Sequence, residues 1–200
     1  MINIITIVAA YLLGSIPSGL WVGKAFYNTD IREHGSKNLG GTNSFRVLGK
    51  KAGFIVTSVD ILKGTAAVLL PLLPVFQDYS LDLLFLGIAA ILGHIFPIFA
   101  SFRGGKAVAT SAGVLLGYVW PLFIILVFVF FISLKIFKMV SLTSMISATA
   151  ALIYGIVDFT LTGNWGLLIL TIVLWVFIIY KHRANIKRMK NGTEPKVTWI

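Results

Sequence analysis

Six apolar runs, Ile4–Val22, Gly53–Phe76, Leu83–Phe99, Ala107–Leu134, Val140–Val157 and Trp165–Tyr180, occupy most of the chain. A helix needs roughly 20 such residues to cross a bilayer, so runs of this kind leave few folds open. None shows the strict apolar–polar alternation of a membrane β-barrel strand. Lipid forces backbone groups to pair within each segment, and the reading is therefore an all-α, polytopic integral membrane bundle. Composition agrees, because only 12% of residues are charged against about 25% in soluble domains. The first run outlasts a signal-peptide core and lacks a basic leader, so it is expected to be a retained span. Residues 1–200 read as a single membrane-embedded domain.

Charge placement sets the expected topology. The 28-residue run Ala107–Leu134 is either one tilted helix or two short segments, near 107–120 and 121–134, broken around Gly117 to Pro121. With two segments the chain has seven, its N-terminus outside and its C-terminus cytoplasmic. Sixteen of the 17 Lys and Arg residues then lie inside, with Lys63 within a span. A single helix would move eight cations outside, against the positive-inside rule. Seven segments are expected, with the two short ones shielded by neighbouring helices. Gly19/Gly23 and Gly113/Gly117 are small-xxx-small pairs suited to close packing.

One stretch, EHGSKNLGGTNSFR from Glu33 to Arg46, could build no core. Ser36, Asn38, Thr42 and Asn43 supply hydroxyls and amides, Gly40 a backbone donor, and Arg46 a planar cation. That set suits phosphate, although a solvated loop with helix caps shares the composition. It is not a Walker loop, since no G-x-x-x-x-G-K-[ST] occurs. A second stretch, FRGGKAVATSAG, leads Gly104 and Gly105 into a helix start with Lys106 in its first turn and Thr110 and Ser111 following, which is an anion-site pattern. A third, KHRANIKRM, continues the last span into water and places His182 and Asn185 on one helical face. Its Arg183, Lys187 and Arg188 would also serve as a plain lipid-surface anchor. All three stretches fall on the cytoplasmic side of the expected topology and can converge there.

Within the spans, Asp60 and Lys63 sit one turn apart and are expected to form a structural ion pair. His94 is expected to be a satisfied interior histidine, and Pro17 and Pro97 to kink their spans. The chain has no cysteine, which removes disulfides and thiolate chemistry. Three scattered histidines disfavour a metal site, and no cofactor is implied. The HxxxxD acyltransferase signature and the G-x-S-x-G elbow are both missing. A formal charge of +10 suits anionic lipid or anionic substrate; its placement in short loops argues against nucleic acid.

Taken in order, GSIPSG, SKNLGGTNSFR, DILKG, GHIFPIF, FRGGKAVAT and KHRANIKRM resemble the bacterial acyl-phosphate:glycerol-3-phosphate acyltransferases, the PlsY family, over most of the chain. The resemblance implies a multi-pass enzyme of the bacterial cytoplasmic (inner) membrane with its active site facing the cytoplasm. It would move an acyl group from acyl phosphate to the 1-hydroxyl of glycerol 3-phosphate, giving lysophosphatidic acid and phosphate, the first acylation of phospholipid synthesis. On that reading Ser36, Lys106, His182 and Asn185 are the catalytic set. Asn38, Gly40, Thr42, Asn43, Arg46, Gly104, Gly105, Thr110 and Ser111 bind substrate, while Asp60, Lys63 and His94 are intramembrane structural residues. Lys37, Leu39, Gly41 and Ala107 depart from the family pattern, which has Gly, Pro, Ala and Gly there. The competing readings are a small transporter of phosphorylated solutes and a non-catalytic lipid-binding subunit.

Overall fold

A computed structural model describes residues 1–197. All regular structure among them is helical, and they form two compact units, the first covering 1–118 and the second beginning at residue 119. The first unit contains α1 (Ile2–Gly14), α2 (Ser18–Tyr27), α3 (Gly41–Val47), α4 (Lys50–Val68), α5 (Leu84–Ile95) and α6 (Val108–Tyr118). The second contains α7 (Trp120–Phe137), α8 (Val140–Thr162), α9 (Trp165–Lys181) and α10 (Arg183–Lys190).

The apolar runs become helices, and prolines decide where several of them stop. Pro17 caps α2 and separates it from α1 by a 43° bend, because its ring cannot continue the ladder of the preceding turn. The Gly53–Phe76 run is not helical throughout. It leaves α4 after Val68 and finishes as two 3-10 turns carrying Pro71 and Pro74. Pro97 likewise follows the end of α5 and is succeeded by the 3-10 turn Ile98–Ala100.

The ambiguous run breaks at Val119, whose φ and ψ are −144° and 79°, with Pro121 in the first turn beyond. The pieces are unequal. Helix α6 has 11 residues, whereas α7 has 18 and is long and apolar enough to cross a membrane by itself, as is the 23-residue α8. The second piece is thus longer than the sequence suggested, because its apolar register runs on past Leu134 until Lys138 turns left-handed.

In lipid there is no hydrophobic drive between helices, and close approach of backbones takes its place. In the first unit a Cβ on Gly113 would overlap the Ile61 carbonyl, and one on Gly64 the Thr110 carbonyl. Gly117 rests on Val68, so the α4–α6 crossing is built on small residues, and Thr65 Oγ1 donates across it to the Gly113 carbonyl at 2.9 Å. Gly14 and Gly93 bring α1 and α5 together in the same way. The other glycine pair behaves differently. Gly19 lies against the Leu39 carbonyl and Gly23 against the Thr29 carbonyl, so this pair docks a polar loop, not another helix.

Candidate active site

That loop runs from Tyr27 to α3 and is organised by one side chain. Asn43 is buried. Its Nδ2 donates to the carbonyls of Ile31, His34 and Asn38 at 3.0, 3.1 and 3.0 Å, and its Oδ1 accepts the Ser36 N–H at 2.9 Å. One amide therefore braces four points of a segment that has no ladder of its own. Asn38 adds a tight turn by accepting the Gly40 N–H at 2.9 Å. Beneath the loop, Ile31 and Leu39 pack with Leu20 and Ala100 as a small apolar core. Asp30 closes the near end by a bidentate pair with Arg32 at 2.6–3.2 Å, and the Arg32 guanidinium holds its carboxyl at about 2.

This rigid loop leaves Ser36, Thr42 and Arg46 exposed, and Arg46 forms no salt bridge among the described residues. Asn43 and Gly40 are different, since their polar groups are committed to the loop itself.

Two of the departures from the family pattern, Leu39 and Gly41, find local reasons here. Lys37 takes φ of +58°, a left-handed conformation that favours the family's glycine, and nothing in the structure explains the lysine. Leu39 is 4% exposed and supplies part of the apolar core. Gly41 lies so close to Thr57 Oγ1 that a Cβ would overlap it, so alanine would not fit beside this threonine.

The second stretch rests on His94. The Gly105 N–H donates to the His94 carbonyl at 3.1 Å. A Cβ on Gly105 would overlap the His94 ring, and one on Gly104 the His94 carbonyl. Both glycines are thus required by close approach, and the Gly105 N–H points inward. Helix α6 starts at Val108, not around Lys106, because Ala107 has φ of +58° and turns the chain out of helical geometry. Lys106 sits in the loop just before that turn, half-buried. Thr110 Oγ1 pairs with His94 Nδ1 at 3.0 Å, while the buried Ser111 hydroxyl has no hydrogen-bond partner among the described residues. A cleft of about 440 Å³ opens beside both loops, lined by Asp30, Arg32, Glu33, Ser101 and Arg103.

In the second unit the chain bends by 55° between α9 and α10, and His182 is the junction. It is 2% exposed, and its Nδ1 donates to the Ile178 carbonyl at 2.8 Å. That bond fixes the Nδ1–H tautomer and leaves the lone pair of a neutral ring on Nε2. Asn185 is also buried, while Arg183 and Lys187 face outward.

Sequence reasoning missed Glu194. Its side chain accepts from Ser141 Oγ at 2.6 Å, Asn185 Nδ2 at 2.7 Å and Arg188 Nε at 2.8 Å. Burial opposes its charge, but these three donors outweigh burial and hold the carboxyl below its ordinary range. The available signal was compositional: Glu194 is the only acid after Asp158. With Nδ2 engaged by Glu194, the amide of Asn185 is fixed in orientation.

Comparison with known proteins places this arrangement. The family model of glycerol-3-phosphate acyltransferases matches residues 4–192. A glycerol-3-phosphate acyltransferase of Listeria monocytogenes is 56% identical over 203 residues, covering 100% of this chain and 99% of the relative. Its counterpart in Bacillus subtilis is 54% identical over 200 residues, with both chains fully covered. Among solved structures, the glycerol 3-phosphate form of PlsY, described as an integral membrane glycerol 3-phosphate acyltransferase, superimposes with a TM-score of 0.88 at 34% identity, covering 98% of this chain and 96% of that one. Its lysophosphatidic acid form gives 0.84 at the same identity, covering 98% and 95%. A helical membrane protein with two glycine-bearing polar loops and a histidine–asparagine helix junction is, by these matches, a membrane acyltransferase. The chain belongs to the glycerol-3-phosphate acyltransferase family.

Proposed function

We propose that this acyltransferase takes its acyl group from acyl phosphate and delivers it to the 1-hydroxyl of glycerol 3-phosphate, as one membrane-embedded domain of seven segments in the bacterial inner membrane, N-terminus outside and active site toward the cytoplasm. The observation that carries the reading is the Asn43-braced loop, which presents Ser36, Thr42 and an uncompensated Arg46 guanidinium on a rigid frame. Preorganised donors and a cation suit a dianionic phosphate because they need no rearrangement to meet its charge.

Acyl phosphate is a mixed anhydride, so its carbonyl is already activated and no covalent enzyme intermediate is needed. The hydroxyl oxygen of glycerol 3-phosphate bonds to the acyl carbon, the bond from that carbon to the phosphate oxygen breaks, and phosphate leaves with the electron pair. Two phosphates must be held near each other, and cations offset their repulsion. We assign Arg46 and Lys106 to that task, with Ser36 and Thr42 as further donors. Asn43, Gly40, Gly104 and Gly105 act by shaping the loops. Orientation alone supplies about 7–11 kcal/mol of the barrier when the reacting atoms are held in line.

His182 and Asn185 are proposed to orient glycerol 3-phosphate, and a substrate phosphate oxygen to take the hydroxyl proton. His182 is held in one orientation by the bond from its Nδ1–H to the Ile178 carbonyl, which suits a residue that positions substrate. Purified protein in detergent, given acyl phosphate and glycerol 3-phosphate, should release phosphate and form lysophosphatidic acid without any gradient. A transporter or a lipid-binding subunit would do neither. Lys106→Ala should lose nearly all activity and His182→Gln should keep a measurable part. An inactive His182→Gln that still binds both substrates would make His182 the base.

A further inference from the structure

The first unit holds a buried charged cluster that the proposed chemistry does not use. Asp60 Oδ1 accepts from Ser18 Oγ at 2.7 Å and lies 2.7 Å from Lys63 Nζ. Lys63 Nζ also donates to the Ile16 carbonyl at 2.7 Å. His94 Nδ1 stands 3.6 Å from the same Asp60 oxygen, within Coulombic range but beyond a hydrogen bond, and pairs with Thr110. Asp60 and Lys63 are 1% and 5% exposed. Burying such a pair is expensive, and apolar residues of similar volume often serve stability as well or better. Stability alone is therefore a weak reason for it.

Its connections suggest another. Ile16 and Ser18 flank Pro17 at the α1–α2 break, so Lys63 and Asp60 fasten that break. From it α2 carries Gly19, on which the Leu39 carbonyl of the first polar loop rests. On the other side, His94 carries Gly104 and Gly105 against its ring and carbonyl. Leu39 and Gly105 meet Asp60, Lys63 and His94 around one small cavity of about 10 Å³. Each loop is thus seated on a neighbour of the same ion pair.

We propose that Asp60, Lys63 and His94 are positioning residues that set the separation of the two polar loops, and so the spacing at which the enzyme holds its two phosphates. The proposal rests on the assignment of those loops to phosphate binding. Its physical basis is the steep dependence of rate on placement, since a shift of about 1 Å costs roughly 100-fold.

The test is Asp60→Val/Lys63→Met, which removes both charges and leaves neither partner stranded. A positioning role predicts a thermal midpoint close to that of the parent, with kcat/KM lowered at least about tenfold and KM raised for both substrates. Parent-like kinetics at a parent-like midpoint would overturn the proposal. If this variant does not fold, His94→Phe decides. Phenylalanine keeps a ring against Gly105 but lacks the Nδ1 that faces Asp60 and Thr110, and at a parent-like midpoint it should lose at least about tenfold in kcat/KM with KM raised for both substrates. Parent-like kinetics in His94→Phe at that midpoint sinks the idea. Arg46→Ala and Lys106→Ala, run alongside, separate the failures: full activity in both removes the phosphate assignment, while their inactivity beside a fully active double variant removes only the positioning role.

Discussion

Lys37→Gly should make the protein more stable although it deletes a charged side chain. Lys37 has φ of +58°, and the left-handed region costs an L-residue about 1–2 kcal/mol through its Cβ. Glycine removes that cost but gains freedom in the unfolded chain, which returns about 0.5–1 kcal/mol. The net gain is about 0.5–1 kcal/mol. The side chain is exposed and forms no salt bridge among the described residues, so little else is lost. The loop is braced by Asn43 and rooted by Leu39, so relief there is felt by the packed unit. For a protein of this size the gain corresponds to a rise of about 1–4 °C in thermal midpoint, read in detergent at one scan rate. Lys37→Ala is the control, because it removes the same charge and keeps the Cβ. A Lys37→Gly midpoint no higher than that of Lys37→Ala would refute the strain argument. Ala107 has the same φ but is 1% exposed. Ala107→Gly forfeits a buried methyl worth about 0.8 kcal/mol, so its midpoint should hardly move.

Gly41→Ala should destabilise by about 1–3 kcal/mol through overlap with Thr57 Oγ1, and Thr57→Ala added to it should restore most of the loss in the same melting assay. Gly105→Ala has no such compensation, since its Cβ meets the His94 ring; activity should fall at least about tenfold with Lys106 still present. For Glu194, a carboxyl held below its ordinary 4.5 contributes stability that is complete above that value and lost as pH falls through the lowered one. Glu194→Gln should therefore flatten the drop in thermal midpoint between about pH 5 and pH 3, and a drop as steep as that of the parent would remove Glu194 as its source.

Local signals in the chain determined the helical class, most helix positions and the break near Pro121, because hydrophobic run length and proline geometry act over one or two turns. The family motifs likewise pointed to the residues gathered in the two loops and at the α9–α10 junction. What each polar group does was decided only by contacts between distant positions. Asn43 reads as a phosphate donor in sequence, yet its amide is occupied by residues 31 to 38; the Gly105 N–H reads as free for a ligand, yet the His94 carbonyl takes it. Glu194 carried no motif, and its importance comes from Ser141, 53 positions away. Asp60 and Lys63 were legible as a pair from their one-turn spacing, but not as the meeting point of Ser18 and His94. A side chain's chemistry is written locally, whereas the partner that uses it is chosen by the fold.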